Sequence, residues 1–431
     1  MIRKCIQASS CVLWLCLVTL RLPGAWAAAP SAQYWTQFRG PNQNGGLDVE
    51  SIPLVWSANS HIAWKAEIEG GGNSSPVIWG DKIFLTSATI DRGRVQGTFA
   101  IALDRTSGKQ LWRTQIPILS LPGKSPSSEN GWASPTPACD SSHVVVVFAT
   151  GTIACLDHDG TLRWSQDLGP LEHLWGLAAS PVLDASCVYY PVDQGSLCRQ
   201  PSYLTAIDLR SGHTAWRTYI AASIGRGYST PLLVPGRTRS ALILWARSQM
   251  TAYDSPTGRE LWRLATFDEK EPIASPAWAG DTLYLGQSSR LLACRIPDNH
   301  DDSAIAPRWA LDQSSGAQVA RIAGCVVYHD RIYGVSNEGV AWCHDAKTGR
   351  KTWSGALHDE FYASPVAAAG YVIFASRAGK FHLVKAGDRF ELIGTNTLPE
   401  RCDVSPAVAP GKLYLRTKLG SNRTTVWCVE K

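Results

Sequence analysis

Four stretches of this chain nearly superimpose: Ala102–Trp112 (ALDRTSGKQLW), Ala206–Trp216 (AIDLRSGHTAW), Ala252–Trp262 (AYDSPTGRELW) and Cys343–Trp353 (CHDAKTGRKTW). A fifth, Cys155–Trp164 (CLDHDGTLRW), is one residue shorter. Repetition at a fixed period restricts a chain to an array of small units, none of which can bury its apolar face alone. A second mark precedes the repeats: a small residue, usually Ser or Thr, followed by proline, at Pro76, Pro135, Pro181, Pro231, Pro276, Pro365 and Pro406. The long gap from Pro276 to Pro365 holds two units. Aligning DRIYGVS from Asp330 with DKIFLTS from Asp81 puts Cys325 in the missing proline's slot. The chain therefore carries eight units of about 47 residues.

Each unit reads as four short strands, A to D. In the first, SSPVIW is strand A, Gly80 and Asp81 turn, and KIFLTSA alternates as strand B. TFAIALD is strand C, and Thr106-Ser107-Gly108 turns into QLWRTQI, strand D. Many short alternating strands separated by Gly/Asp turns predict an all-β fold, an eight-bladed β-propeller of four-stranded antiparallel blades. Asp104 can accept hydrogen bonds from its own turn, and Gly108 supplies a positive φ. Trp112 opens strand D and can lie flat against the next blade. Its equivalents are Trp164, Trp216, Trp262, Trp309 and Trp353. Burying one indole is worth roughly 4–6 kcal/mol as an upper figure. Strand A, at the channel with one edge unpaired, tolerates proline. The final VWCVE aligns with AWCHD, so the chain stops before the last strand D. His61–Gly70 (HIAWKAEIEG), with Trp64 in the docking position, is predicted to complete that blade and close the ring, leaving no open edge.

A basic start (Arg3, Lys4), a short apolar run (Cys11–Leu20) and small residues around Ala27 read as a secretory signal over residues 1–27. Residues 28–60 are then an N-terminal extension and 61–431 the propeller. The expected product is exported, periplasmic or extracellular, with no transmembrane segment. Losing Arg3, Lys4 and Arg21 with the signal lowers the formal net charge from +5 to +2, too weak to imply nucleic acid or an anionic membrane as partner. Nine of the twelve cysteines remain, without a C-x-x-C. Cys155, Cys343 and Cys428, and by the same alignment Cys294, fall in a small-residue slot of strand C held elsewhere by Ala102, Ala206 and Ala252. Residues at matching positions of different blades are too far apart for disulfides, whereas Cys187 and Cys198 share a blade and could pair.

The A-x-D-x-x-[TS]-G-x-x-x-W repeat resembles the tryptophan-docking motif of the pyrroloquinoline-quinone (PQQ) type propeller family over residues 61–431. WTQFRGPNQNG (Trp35–Gly45) is similar to the N-terminal signature of its exported bacterial members. The resemblance implies one of two activities. Some members are quinoprotein dehydrogenases holding PQQ and Ca²⁺ over the channel mouth. Others, such as outer-membrane protein assembly factor B, are non-catalytic scaffolds. Fold does not choose between them.

On a propeller the D–A and B–C loops share one face, the default ligand site. The candidates there are Glu129, Asn130, Trp132, Trp175, Arg226, Tyr228, Glu271, Arg321, Asp359, Tyr362, Arg401 and Asp403. The loops Leu119–Trp132 and Val192–Ser202 are the expected specificity elements. Under the quinoprotein reading, Glu129, Asn130, Glu271, Asp359 and Asp403 would supply calcium oxygens, and Arg226 or Arg321 would pair a quinone carboxylate. The vicinal Cys-Cys pair usual in such dehydrogenases is absent, and most loops are short. The acidic run Asp298–Asp302 falls on the opposite face and reads as a solvated turn. We therefore expect a monomeric binding or scaffolding propeller, without catalytic residues, metal or cofactor, that engages a protein or an envelope polymer. The alternative is a PQQ- and Ca²⁺-dependent alcohol or sugar dehydrogenase.

Overall fold

The computed structural model describes residues 34–431 except 170, 174, 195–200, 221–226, 237, 268–270, 298–299, 301–304 and 316. Every regular element among the described residues is a β-strand. They form eight antiparallel blades around one channel. The inner A strands are Val77–Trp79, Ala138–Cys139, Val182–Leu183, Leu232–Pro235, Ala277–Ala279, Val326–Tyr328, Val366–Ala368 and Ala407–Ala409, for blades 1 to 8 in that order. The outer D strands of blades 1 to 7 are Gln110–Ile116, Leu162–Asp167, Thr214–Tyr219, Glu260–Ala265, Pro307–Leu311, Lys351–Ala356 and Leu392–Thr397. In blade 8 the outer strand is Ile62–Glu69. It pairs antiparallel with Arg423–Glu430, setting Trp64 opposite Cys428. The two ends of the propeller sequence thus share one sheet, and the ring is closed as the repeat predicts.

The repeat glycine has a second reason beyond its turn. Six of the seven outer-strand indoles donate Nε1–H to a carbonyl in the C–D turn of the next blade. Trp112 reaches His158 O at 2.9 Å, Trp164 reaches Leu209 O at 2.8 Å and Trp216 reaches Ser255 O at 2.9 Å. Trp64, Trp309 and Trp353 do the same to Arg105, Ala346 and Gly387. A Cβ on Gly160 would stand 2.6 Å from Trp112, and one on Gly212 2.6 Å from Trp164. Both glycines also have positive φ, +85° and +72°. The glycine is therefore demanded twice, by its own turn and by its neighbour's ring. Trp262 is the exception: its buried Nε1 finds no partner among the described residues. Blade 7 has no strand-D tryptophan. Trp56, from before the propeller, packs instead among Phe381 and Leu383 of blade 7 and Leu413 and Leu415 of blade 8. Its backbone N–H, not its indole, donates to Asn396 Oδ1 at 2.8 Å.

Two register details differ from the sequence reading. In blade 2 the Ser/Thr-Pro mark is Thr136-Pro137, two residues beyond Pro135. Ser75 N donates to Thr136 Oγ1 at 2.9 Å, and Thr136 N to Ser180 Oγ at 3.0 Å. The chain of hydroxyls continues from Ser180 N to Thr230 Oγ1 and from Thr230 N to Ser275 Oγ. The mark thus has a role the sequence does not display: each hydroxyl accepts the N–H of the preceding blade and stitches the inner strands together. In blade 5 the residue opposite Trp309 is Ala293, not Cys294. The longer sequence spacing before Trp309 shifts the alignment by one, and Cys294 is buried on the other face of the strand. Cys198 lies outside the described residues, so its pairing with Cys187 is not placed.

Residues 34–47 close one end of the channel. Trp35 O accepts from Ile78 N at 2.8 Å, Thr36 O from Cys139 N at 2.9 Å and Gly45 O from Ala367 N at 2.9 Å. These donors sit on inner strands of three blades, on edges that otherwise lack partners. Gly46 and Leu47 add a parallel fifth strand to blade 7. At the centre lies Arg39, 2% exposed. Its guanidinium donates to Ser275 O at 3.0 Å, Pro276 O at 3.3 Å, Asn44 O at 3.2 Å and to Cys325 O. It enters where the hydroxyl chain is broken by Gly324, beside the one missing proline. Burial holds the Arg39 pKa below the usual arginine value, so its charge is kept by carbonyl dipoles rather than a carboxylate. Asn42 and Asn44 of this plug, with Asp48 next to it, lie beside Gly280, Asp281 and Asp330 in the A–B turns, away from the D–A/B–C loops.

Candidate functional site at the open mouth

Among the described residues the mouth is built from B–C turns and D–A loops between the strands, including the long connection 117–137, rather than from helices. One group gathers over blades 7 and 8. Arg377, in the B–C turn of blade 7, donates Nε–H to Asp403 Oδ1 at 3.0 Å and Nη1–H to Glu360 Oε1 at 2.8 Å. Its guanidinium carbon lies 3.5 Å from the centre of the Tyr362 ring, a stacked cation–π contact. Arg401 donates Nε–H to the other oxygen of Asp403 at 2.9 Å, and Lys418 reaches the same oxygen at 3.1 Å. Glu129 arrives from the loop between blades 1 and 2. Its Oε2 accepts from Arg377 Nη2 and from Arg401 Nη2, both at 2.6 Å. Asp359 is held by Lys380 at 3.1 Å and by His382 at 2.8 Å.

A second group spans the opposite arc. Asn130 Nδ2 donates to Trp175 O and Gly176 O, each at 3.3 Å. Trp175, 41% exposed, points its Nε1–H at Glu271 Oε1 at 3.5 Å, and Glu271 also pairs with Arg321. Asn73 donates to the backbone carbonyls of Glu129 and Asn130, at 2.8 and 3.1 Å. The loop tip at 129–130 therefore links blades 7 and 8 to blade 3, across the mouth.

The structure brings together most of the candidates. Glu129, Tyr362, Arg401 and Asp403 form one network, Asn130, Trp175, Glu271 and Arg321 the other, and Asp359 flanks the first. Two candidates point inward instead. Trp132 is buried in the core shared by blades 1 and 2, and Tyr228 is buried edge-on against His173, ring centres 4.7 Å apart. Arg226 lies outside the described residues, as do Asp298, Asp301 and Asp302. The residues missed by sequence reasoning are Arg377, Glu360, Lys380, His382 and Lys418. The signal for Arg377, Lys380 and Lys418 was their place in or beside B–C turns, which share the face with the D–A loops.

Burial alone would lower the Arg377 pKa. Its bond to Glu360 and the charges of Asp403 and Glu129 outweigh that and hold it above the usual arginine value. For His382 the balance goes the other way: burial dominates the attraction of Asp359, so the imidazole pKa is lowered. His173, beneath the rim, is pushed down by burial from 6.5 to about 4. A base whose folded pKa lies below its unfolded value takes its proton first in the unfolded chain. Stability therefore falls as pH drops from 6.5 toward 4. His173 accounts for roughly 3 kcal/mol of that loss at about 1.36 kcal/mol per pKa unit. Urea midpoints at pH 7.5 and 4.5 are expected to differ clearly less in His173→Gln than in the unmodified protein.

Calcium takes six to eight oxygen ligands. At this mouth Glu129, Glu271, Asp359 and Asp403 each already bind guanidinium, ammonium or imidazole groups. Among the described residues no three His, Cys, Asp or Glu side chains gather as a metal site. This donor set does not fit a PQQ–calcium pair.

A family model described as outer membrane protein assembly factor BamB matches residues 96–219 and 172–391. The chain superposes on BamB from Moraxella catarrhalis with a TM-score of 0.59 at 17% identity, covering 84% of this chain and 98% of that one. A europium-containing methanol dehydrogenase gives 0.63 at 11% identity, covering 93% and 98%. The quinohemoprotein alcohol dehydrogenase of Comamonas testosteroni gives 0.65 at 11%, covering 94% and 81%. At such identities these likenesses are of fold. A curated relative, the quinohemoprotein alcohol dehydrogenase ADH-IIG of Pseudomonas putida, is 31% identical over 150 residues, 30% of this chain and 20% of that protein's length. With residues 96–391 matched by the family model and its eight-bladed ring described, this chain belongs to the PQQ-like β-propeller family that the BamB model describes.

Proposed function

We propose that this protein is an exported, non-catalytic binding or scaffolding propeller, periplasmic in location, whose open mouth docks a protein partner. One observation carries the reading. The acidic and basic side chains of the mouth bind one another across blades, making a broad, charged and rigid surface rather than a pit of free oxygen ligands. The plug fills the channel from the far end, so the D–A/B–C loops offer the face free of it. The match to the BamB family model supports a protein partner, since that family is named for assembly of outer-membrane proteins. The shared stretch with a quinohemoprotein alcohol dehydrogenase keeps the catalytic reading as the rival.

The two readings separate on purified protein. Incubated with PQQ and Ca²⁺, it is expected to take up no stoichiometric quinone and to give no alcohol- or sugar-dependent dye reduction. Stoichiometric uptake with substrate-dependent reduction would overturn the proposal. Crosslinking in envelope extract is expected to capture a defined protein, and Trp175→Ala, altering an exposed rim side chain, is expected to weaken that capture at least fivefold. Capture of no partner, or capture insensitive to every mouth substitution, counts against it.

A further inference from the structure

We propose that Arg377 and Arg401 form a carboxylate-binding site at the mouth. In the free protein the chain's own Glu129 fills it; in the complex an acidic side chain of the protein partner takes its place. The inference rests on reading the mouth as the docking surface.

The two arginines converge on a single oxygen, Glu129 Oε2, each through Nη2 at 2.6 Å. Both are aimed by other residues. Asp403, nearly fully buried, takes the Nε–H of each arginine on a different oxygen. Glu360 and the Tyr362 ring fix the plane of Arg377 further. Each arginine directs its Nη2 at the mouth, and two such donors on one point make a charge-assisted carboxylate cradle. The occupant, by contrast, is replaceable. Glu129 sits at the tip of a loop whose backbone is tied down by Asn73 and Asn130, not by its carboxylate. About half of its side chain is exposed. Its departure would leave the loop anchored and the cradle intact.

The surroundings describe the ligand. An open basin of about 860 Å³ adjoins the cradle, lined also by Asn337, Glu338, His358 and Asp359. That volume admits a peptide segment. Glu338 on its wall and Asp359 disfavour a run of acids, so the fitting segment carries one acid with a basic residue nearby. A tethered carboxylate competes at an effective concentration of order millimolar. A latch closed about nine-tenths of the time weakens the apparent affinity of an incoming acid about tenfold.

The test uses the full propeller and a labelled ten-residue Ser/Gly peptide carrying one Glu and one Lys, with its Gln counterpart as control. Glu129→Ala, at an exposed loop tip, is expected to bind the Glu peptide about tenfold more tightly than the unmodified protein and to leave the Gln peptide unaffected. Adding Arg401→Gln is expected to abolish the gain. Equal binding of the Glu peptide with and without Glu129→Ala would overturn the latch. Glutarate competing as tightly as the peptide would overturn the peptide as ligand. The partner assay distinguishes the two proposals. If Glu129→Ala captures its partner no better than the unmodified protein while Trp175→Ala still loses it, the latch fails and the docking mouth stands. If no mouth substitution alters capture, the docking reading itself fails.

Discussion

Arg39→Ala is expected to destabilise the folded chain by roughly 3–5 kcal/mol, the range for breaking a buried, hydrogen-bonded charged site. The guanidinium closes the channel where the hydroxyl chain lacks a member at Gly324, and it donates to four carbonyls from three separated parts of the chain. Alanine would leave those acceptors without donors and leave a void the size of the lost side chain. Both costs apply in a place that water reaches poorly. Arg39→Met isolates one of them: it fills the space and removes a charge whose burial is itself unfavourable, so it is expected to lose less than alanine. The check is urea denaturation of all three proteins, with hydrogen exchange over residues 34–47. A loss below about 1 kcal/mol for Arg39→Ala, with exchange unchanged, would mean the plug is held by its backbone contacts alone.

Trp112→Ala should cost roughly 3–5 kcal/mol, as a large indole leaves the joint between blades 1 and 2. The indole packs beside Phe84, ring centres 5.9 Å apart, and donates to His158 O at 2.9 Å. Gly160 lies beneath it at φ +85°, where a Cβ would stand 2.6 Å from the ring. Gly160→Ala alone should therefore cost more than the roughly 1 kcal/mol expected of its backbone conformation. In the Trp112→Ala background the collision is gone and the backbone cost alone should remain. The two substitutions should then be clearly less than additive in a double-mutant cycle. Additivity would show that the indole does not rest on that turn. A Trp112→Ala loss below about 1 kcal/mol would remove it from the interface altogether.

Much of the architecture is legible in the residues alone, because it is periodic. An Asp, a Gly and a Trp at constant offsets announce the same turn and the same interblade contact wherever they recur. Counting them yields the blades, and the incomplete last unit points to His61–Gly70 as the missing strand, observed as Ile62–Glu69. Where the pattern degrades, the reading slips by a residue or two. Thr136-Pro137 carries the mark that the spacing assigns to Pro135. Ala293 holds the slot that the alignment gives to Cys294, since near blade 5 the turn no longer keeps its spacing.

The candidate site is legible only as a face. The D–A loops point to it, and Glu129, Trp175, Glu271, Arg321, Arg401 and Asp403 do gather there. Arg377, which binds three of the acids in the network, escapes sequence reasoning because it sits in a B–C turn with no mark of its own.

What the sequence determined by itself is the repeated part: strand order, blade count, ring closure and the docking of each repeat indole on the next blade. Each follows from local preferences and neighbour contacts that recur at one period. What only the tertiary structure decided is the unrepeated part: Arg39 plugging the channel, Trp56 standing in for the indole that blade 7 lacks, and Glu129 meeting Arg377 and Arg401. These join residues more than two hundred positions apart, between 236 and 286 for Arg39 and 248 and 272 for Glu129. Each occurs once, so no period records it. The pairings exist because ring closure brings distant loops within bonding distance, and buried or crowded charges then take the partners they find there.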